Sequence, residues 1–312
     1  MPRARRDVET ILKVARMRYD QRLTPSEIAE ALKISESTVS RVLKTAKDMG
    51  FVGIQVLPTG WRDIDLEQRL GDRYGLDLAV VVHKTDWGGP FGALPRALST
   101  EVEERLAPGT VIGVSDGETV AAIAAAIRRG RSQDIDVVSL IGGLGAAQVP
   151  TYSTEIGRVL AANLGGRAWQ LPAPAVVESA GAAEALFGMG LVRSVFEKMG
   201  LVSIALVGIG AMTPQAAVFS HGMIDPGEID AIIARGAIGS ICARFFDRNG
   251  TPIASEFNDR TIAITLPDLA RVGLRIGAAI GLDKVAAIRA ALGGGLVNAL
   301  ATDVETATAL LG

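Results

Sequence analysis

Three strand-length apolar runs in this chain each end in a turn of small residues. Thr110 to Val114 runs into Ser115-Asp116-Gly117-Glu118-Thr119, and a helical stretch, Val120 to Arg128, follows. Asp136 to Ile141 runs into Gly142-Gly143-Leu144-Gly145, and Leu201 to Val207 into Gly208-Ile209-Gly210-Ala211. Continuous apolar runs, rather than alternating ones, belong to strands covered on both faces. Interleaved with Ala-rich helical stretches, they predict an α/β, Rossmann-like domain with a mostly parallel sheet. Hydrophobic residues make up 48% of the 312, enough for a sizeable core, and aromatics at 4% leave that core aliphatic.

The same pattern extends outward. A helix is expected over about Ile64 to Tyr74, a strand over Asp77 to His83, a break at Gly88-Gly89-Pro90 and a helix over about Leu94 to Leu106. Arg235 to Gly250 reads as a strand leading to a turn at Asn249-Gly250. Ile280 to Leu292 reads as a loop-to-helix entry, and Ala299 to Asp303 as a last strand before a short terminal helix. In open α/β sheets, ligands bind beyond the carboxyl ends of the strands, where loop N–H groups and helix N-termini converge. None of these loops is a GxGxxG fingerprint or a P-loop, and glycines after strands also serve purely steric ends. Three such loops together point to one crevice. Lysine is scarce after residue 60: Lys84, Lys198 and Lys284 only. Lys284, at a helix N-terminus, opposes the helix dipole. A bound anion or hydroxyl-rich ligand accounts for it, and so does a solvated surface position.

Ahead of this body, Thr24 to Lys47 has the spacing of a helix-turn-helix. Its first helix spans about Pro25 to Leu32, with Thr24 as cap, Pro25 at the first position and Glu27 in the first turn. The second spans about Glu36 to Asp48 with Ser35 as N-cap, and Val39, Val42, Leu43 and Ala46 form its apolar face. Lys33 to Ser35 make the turn. Lys33 stands where such turns usually carry Gly, and a positive φ there costs roughly 1 kcal/mol. A preceding helix, about Asp7 to Tyr19, is expected to close the small core with Val8, Ile11, Leu12, Ala15 and Tyr19. Gly50 to Pro58 reads as a turn and a short strand, one arm of a wing.

Charge agrees with a DNA-reading head. Residues 1–60 carry 11 Lys/Arg against 7 Asp/Glu, a net of +4, whereas the whole chain is −2. Phosphate neutralisation dominates DNA affinity, each neutralised phosphate adding roughly −0.9 to the log–log salt slope. Arg41 can read guanine bidentately, Lys44 suits a phosphate, and Ser37, Thr38 and Ser40 suit either. With Thr24, Ser26 and Ser35 they form the expected DNA-facing set. The arm Pro2-Arg3-Ala4-Arg5-Arg6 adds backbone or minor-groove contacts. The domain boundary is expected near Pro58 to Asp63, giving a head of residues 1–58 and a body of residues 59–312.

Composition narrows the rest. Cys242, the only cysteine, sits in an expected buried strand, so an intrachain disulfide is impossible. His83 and His221 are far apart in sequence, and no metal or cofactor is expected. The N-terminus lacks an apolar leader. Met199 to Ile224 has no charged residue, but its glycines, Pro214 and polar residues interrupt it, and its apolar part is strand-length. A cytoplasmic protein without a membrane span is expected.

The chain resembles the SorC family of sugar-binding transcriptional regulators over nearly its whole length. The head matches in IAEALKISESTVSRVLKTAKDMGFV. The body matches in IGVSDGETV, SLIGGLG, LPAPAVVES, LVGIGAM, GAIGSICARFFDRNG and DKVAAIRAALGGGLVNALATDVETA. The resemblance implies an effector domain similar to the sugar-phosphate isomerase and deaminase fold. It also implies a homo-oligomer, usually a tetramer built as a dimer of dimers, and a repressor of carbohydrate catabolism whose operator binding responds to a sugar, polyol or sugar phosphate. It places Ser115, Asp116, Gly117, Glu118 and Thr119 in a first effector loop, Gly142, Gly143 and Leu144 in a second, and Gly208 and Gly210 in a third. Lys284 matches a lysine that faces the ligand. Ser240 stands where the family usually has Asp, and Arg244 is a nearby cation.

The first loop usually has Trp-Gly-Arg or a neutral equivalent; here it is Asp116-Gly117-Glu118. Two carboxylates repel a phosphate: a pair of charges 4 Å apart at an effective dielectric of 20 costs about 4 kcal/mol. A free sugar or polyol is therefore the expected effector. The competing reading is an isomerase or deaminase with an incidental helix-turn-helix, using Asp116 or Glu118 as base. The acid-rich Asp-Gly-x-Asp-Glu segment of ribose-5-phosphate isomerase is absent, and GIGAM stands in the comparable region.

Overall fold

The computed structural model describes residues 2–19, 21, 23–49, 51–52, 61–85, 89–128, 134–145, 149–213 and 224–312. The chain divides into two compact units, Met1–Thr59 and Gly60–Gly312.

The first unit holds α1 (Pro2–Tyr19), α2 (Pro25–Leu32) and α3 (Glu36–Asp48). Both caps form as the side chains dictate. Thr24 Oγ1 accepts from the Glu27 N–H at 3.2 Å while Thr24 N–H donates to the Glu27 carboxylate at 2.7 Å, a reciprocal capping box. Ser35 Oγ accepts from the Thr38 N–H at 3.2 Å. Lys33 ends α2 at φ 53°, ψ 45°, the left-handed region, with its N–H shared by the Ala29 and Glu30 carbonyls. The core is Val14, Ile28, Ala29, Val39 and Leu43.

Helix α1 differs from expectation twice. It begins at Pro2, so the backbone of the basic arm is helical rather than extended. It also turns a different face inward: Val14 is fully buried and Ala15 lies beside it, whereas Val8, Ile11 and Leu12 are half-buried and Tyr19 is exposed. A helix turns about 100° per residue, so the Val14–Met17 edge and the Val8–Leu12–Tyr19 stripe face different directions. Packing against α2 and α3 selects Val14, and the loop keeps Met17 beside that core: Arg18 donates to the Leu23 carbonyl and Leu23 N–H to the Met17 carbonyl. The expected wing strand lies mostly outside the described residues, and Phe51 and Val52 form no strand.

The second unit is built on β1 (Leu78–Val82), β2 (Val111–Val114), β3 (Asp136–Ser139), β4 (Arg167–Trp169), β5 (Ile204–Gly208), β9 (Leu274–Ala278) and β10 (Ala299–Asp303). They form one sheet in the order β1-β10-β9-β5-β2-β3-β4, and every described pairing in it is parallel. Alternate residues enter opposite cores. Val80, Ile112, Val137 and Leu206 join one cluster, whereas Val81, Val111, Val138 and Val207 join the other. Each such fully buried aliphatic side chain contributes roughly 1.5–3 kcal/mol. Helices α4 (Ile64–Tyr74), α5 (Leu94–Glu103), α6 (Glu118–Ala126), α7 (Ser153–Leu164), α8 (Ala180–Gly188) and α9 (Gly190–Met199) precede β5 or connect the strands before it. The helices Val285–Gly293 and Val304–Leu311 follow β9 and β10.

A second, antiparallel sheet of β6 (Gly210–Ala211), β7 (Gly239–Ile241) and β8 (Arg244–Phe246) corrects two expectations. Gly210-Ala211 is a short strand rather than loop, and the single strand expected in Arg235–Gly250 is a hairpin. Cys242 is therefore buried in the hairpin turn, not in a strand, and Cys242 and Ala243 hold φ 51° and 55°. A two-residue turn with both φ positive matches the right-handed twist of its strands.

Candidate functional site

Strand order fixes where a ligand can enter. From β2 the chain moves to β3 and β4 on one side, then returns to place β5 on the other side of β2. The loops after β2 and β5 thus part at a topological switch point, the usual site of a ligand crevice.

Ser115 stitches the two loops together. Its N–H donates to the Leu206 carbonyl at 3.1 Å, its Oγ accepts from the Gly208 N–H at 2.9 Å, and its hydroxyl donates to the Asp116 carbonyl at 2.8 Å. Gly117 donates to the Thr151 carbonyl at 2.8 Å and leads into α6, whose N-terminus has no side-chain cap. Glu118 is the first residue of α6 and exposed; Thr119 is buried and Asp116 half-buried. Asp116 also faces the hairpin turn. Burial pushes the Cys242 thiol well above its ordinary value, the Asp116 carboxylate adds to the rise, and Arg244 opposes it. The thiol stays neutral and is no nucleophile.

Gly210 pairs with Ser240, and a Cβ on Gly210 would stand 2.9 Å from Ser240 Oγ. The Leu282–Lys284 turn packs against β6, which brings Lys284 to the third loop. Lys284 ends that turn, one residue before the helix Val285–Gly293. Among the described residues its ammonium has no hydrogen-bond or ion-pair partner.

The second loop is held by backbone. Gly142 N–H donates to the Ile262 carbonyl at 2.9 Å and Gly143 N–H to the Ala173 carbonyl at 2.8 Å. A Cβ on Gly142 would stand 2.6 Å from the Ala173 oxygen, so close approach alone requires glycine there. Gly143 and Leu144 border a cleft of about 900 Å³ whose far wall includes Pro174, Val177, Glu178 and Arg260. Glu178 and Arg260 were not among the residues singled out from sequence. The LPAPAVVES segment carried the only signal, its prolines favouring an extended backbone along a cleft wall.

Both arginines near these loops are committed. Arg244 donates to the carbonyls of Asn258 (2.5 Å), Thr261 (2.9 Å) and Ala263 (3.2 Å), and burial lowers its pKa. Ala263 bridges Ile141, so Arg244 braces the second loop from behind. Arg260 pairs with Glu228 at 2.5 Å, donates to the Val177 carbonyl and lies over the Phe257 ring. Among the described residues no cluster of three or more His, Cys, Asp or Glu side chains suits a metal ion. Among them no helix is long and apolar enough to cross a membrane.

In the first unit, α3 buries Val39, Leu43 and Ala46 and leaves Ser37, Ser40, Arg41 and Lys44 exposed. Their spacing of i, i+3, i+4, i+7 puts them on one helix face. Ser35, Ser37 and Thr38 share hydroxyl bonds of 2.8 and 2.9 Å, and Thr24 is held in the capping box. Ser26 is exposed in the first turn of α2.

The cleft is lined by the second loop and not by residues of the first or third. A helix-turn-helix head ahead of a parallel sheet with a topological switch point agrees with what similarity shows. Residues 61–312 match the model of the Sugar-bind family, a sugar-binding domain, and residues 5–55 match a homeodomain-like domain, HTH_23. The chain belongs to the SorC family of sugar-binding transcriptional regulators. It is 34% identical over 303 residues to the deoxyribonucleoside regulator of Bacillus subtilis, covering 96% of both chains. It is 31% identical over 311 residues to the erythritol catabolism regulatory protein EryD of Brucella abortus, covering 98% of this chain and 97% of that one. The crystal structure of the full-length sorbitol operon regulator SorC from Klebsiella pneumoniae superposes with a TM-score of 0.78 at 28% identity, covering 98% of this chain and 99% of that one. This SorC-family chain is thus a transcriptional regulator with a DNA-binding head and a carbohydrate-responsive body.

Proposed function

We propose that this SorC-family regulator is a cytoplasmic repressor of a carbohydrate-catabolism operon, released by a free sugar or polyol. Residues 1–58 hold the operator through Thr24, Ser26, Ser35, Ser37, Thr38, Ser40, Arg41 and Lys44. Residues 59–312 take the effector and assemble the homo-oligomer, a tetramer arranged as a dimer of dimers. Paired heads then meet half-sites about one helical turn, or a multiple of it, apart.

The observation that carries the effector class is the charge balance at the crevice. Asp116 and Glu118 open the first loop, while the guanidinium groups of Arg244 and Arg260 are spent on carbonyls and on Glu228. Among the described residues, Lys284 is a cation at the third loop whose ammonium has no hydrogen-bond or ion-pair partner. The N–H groups of Ser115, Gly117, Gly142, Gly143 and Gly208 already have protein acceptors, so they form no ready anion cradle. Hydroxyl groups suit such a site: carboxylates accept from them, and Lys284 and the open N-terminus of α6 donate to them. Thr119, Leu144, Gly210 and Ser240 shape the walls. The relatives include a deoxyribonucleoside regulator, an erythritol catabolism regulatory protein and a sorbitol operon regulator, in keeping with this class. We assign no turnover to the crevice, and no cofactor or metal.

A thermal-shift panel of free sugars and polyols beside their phosphates tests this reading. A ligand at 100 times its dissociation constant stabilises by about 2.7 kcal/mol, enough to register. The free compound of a pair is expected to give the larger shift. A larger shift from the phosphate overturns the effector class, and conversion of any panel compound overturns the regulatory reading of the crevice.

A further inference from the structure

The chain enters the body at Gly60, and its first described residues there are fastened to the sheet edge. Strand β1 is the last strand on its side of the sheet. Arg62 bridges Val82 antiparallel, His83 N–H donates to the Trp61 carbonyl at 2.9 Å, and Asp63 N–H donates to the Val81 carbonyl at 2.9 Å. The entering segment thus covers an edge whose backbone groups would otherwise stay open. Trp61 adds a half-buried ring packed against the core cluster that α5 and α6 share.

The Arg62 guanidinium joins two helices. Its Nε donates to Glu67 of α4 at 2.8 Å and its Nη1 to Glu101 of α5 at 2.7 Å. The two arms differ. Glu67 is buried, and the oxygen that takes Arg62 Nε also accepts from the Val81 N–H at 2.9 Å, so this carboxylate is locked to β1. Glu101 rides on α5, and its other oxygen takes Arg105 at 2.9 Å, four residues further on.

Helix α5 also connects to the first effector loop. It packs along α6, with Leu98, Val120 and Ile123 in one buried cluster. At the far end of α6, Arg128 N–H donates to the Glu103 carboxylate at 2.8 Å. The near end of α6 is Gly117-Glu118, part of that loop. A close-packed interior has no slack, so a shift of α6 carries α5 with it. Glu101 then pulls on a guanidinium whose other arm is fixed.

We propose that the Arg62–Glu101 pair is the link through which the first effector loop acts on the chain leading from the head, with α6 and α5 as its moving parts and Glu67 as its fixed post. This rests on the reading that a carbohydrate in the body modulates DNA binding, and it names the route.

Coupling between linked sites is reciprocal, so DNA at the head must act on α5 and α6 as an effector acts on DNA. The test is hydrogen exchange by mass spectrometry on the full chain, with and without a duplex enriched by in vitro selection. In the parent, the duplex is expected to protect α3 and to shift exchange in the peptides spanning residues 94–127. Glu101→Ala should keep the protection of α3 and lose the shift in 94–127. Glu101→Gln, which keeps an acceptor for Arg62, should retain part of it. Asp136→Asn breaks an ion pair outside α5 and α6 and should retain all of it, which separates transmission from stability. A full shift in E101A, its loss in D136N, or a parent whose 94–127 peptides exchange alike with and without the duplex overturns the inference. Should Glu101→Ala unfold the body, Glu101→Gln decides alone, and a shift equal to the parent's overturns it. Failure of the regulatory reading shows separately: the parent's DNA affinity then stays the same with every sugar and polyol of the thermal-shift panel.

Discussion

Ser115 Oγ lies 2.9 Å from the Gly208 nitrogen and accepts its proton, joining the loop after β2 to the loop after β5 across the switch point. Ser115 is 93 residues from Gly208, and its side chain is almost completely buried. Ser115→Ala leaves the Gly208 N–H without that acceptor and should destabilise the body by about 1–3 kcal/mol. It should also weaken binding of the best free sugar or polyol from the thermal-shift panel. Urea denaturation and calorimetric titration check the two effects.

Lys33 places a lysine side chain at φ 53° in an exposed position. Lys33→Gly should stabilise the head by a few tenths to about 1 kcal/mol, because relief of the left-handed strain outweighs the extra freedom of glycine in the unfolded chain. Lys33→Ala retains the strain and should change little. Chemical denaturation followed through the head's helicity distinguishes the two.

Asp136 opens β3 at the end of the sheet opposite the crevice. Burial acts to raise its pKa, but bonds from Arg167 at 2.7 Å and Lys198 at 2.8 Å outweigh burial and bring it to about 2 from the ordinary 3.8. A depressed carboxyl pKa stabilises the fold above the unfolded value, and that stability is lost as pH falls through the folded value. The body should therefore lose of order 2 kcal/mol between about pH 4 and pH 2 from this group. Asp136→Asn should be less stable at neutral pH and should lack that part of the acid slope in a pH series of melting curves.

Arg41 and Lys44 share the exposed face of α3 and should fail differently. Lys44→Ala should weaken binding evenly across DNA sequences and reduce the log–log salt slope by about 0.9. Arg41→Ala should cost about 1–3 kcal/mol and relax selectivity at one base pair. Anisotropy titrations on matched duplexes over a salt series separate the two roles.

Much of this architecture was legible where local chemistry decides it. Helices α2, α3 and α4 and strand β10 have the bounds their caps and periodicity predict, because Thr24, Ser35 and Asp63 each bond the helix that follows. The β7–β8 hairpin was hidden because its turn uses Cys242 and Ala243, with no glycine or asparagine to mark positive φ. The inward face of α1 was ambiguous because the helix carries apolar residues on two sides, and only packing against α2 and α3 selects Val14. At the crevice, the small-residue loops could be read from sequence. The commitment of Arg244 could not, since its acceptors lie 14 to 19 residues away on a segment with no motif of its own.

The central claim is that a carbohydrate in the body changes how the head holds DNA. The most direct measurement is the dissociation constant for a duplex enriched by in vitro selection on the full chain. It would be taken by fluorescence anisotropy with and without the free sugar or polyol that gives the largest thermal shift. A change of about fivefold or more is predicted for the parent chain, the usual span of coupling between linked sites, with a smaller change in Ser115→Ala. A compound that stabilises the body yet leaves the DNA affinity unchanged would contradict it.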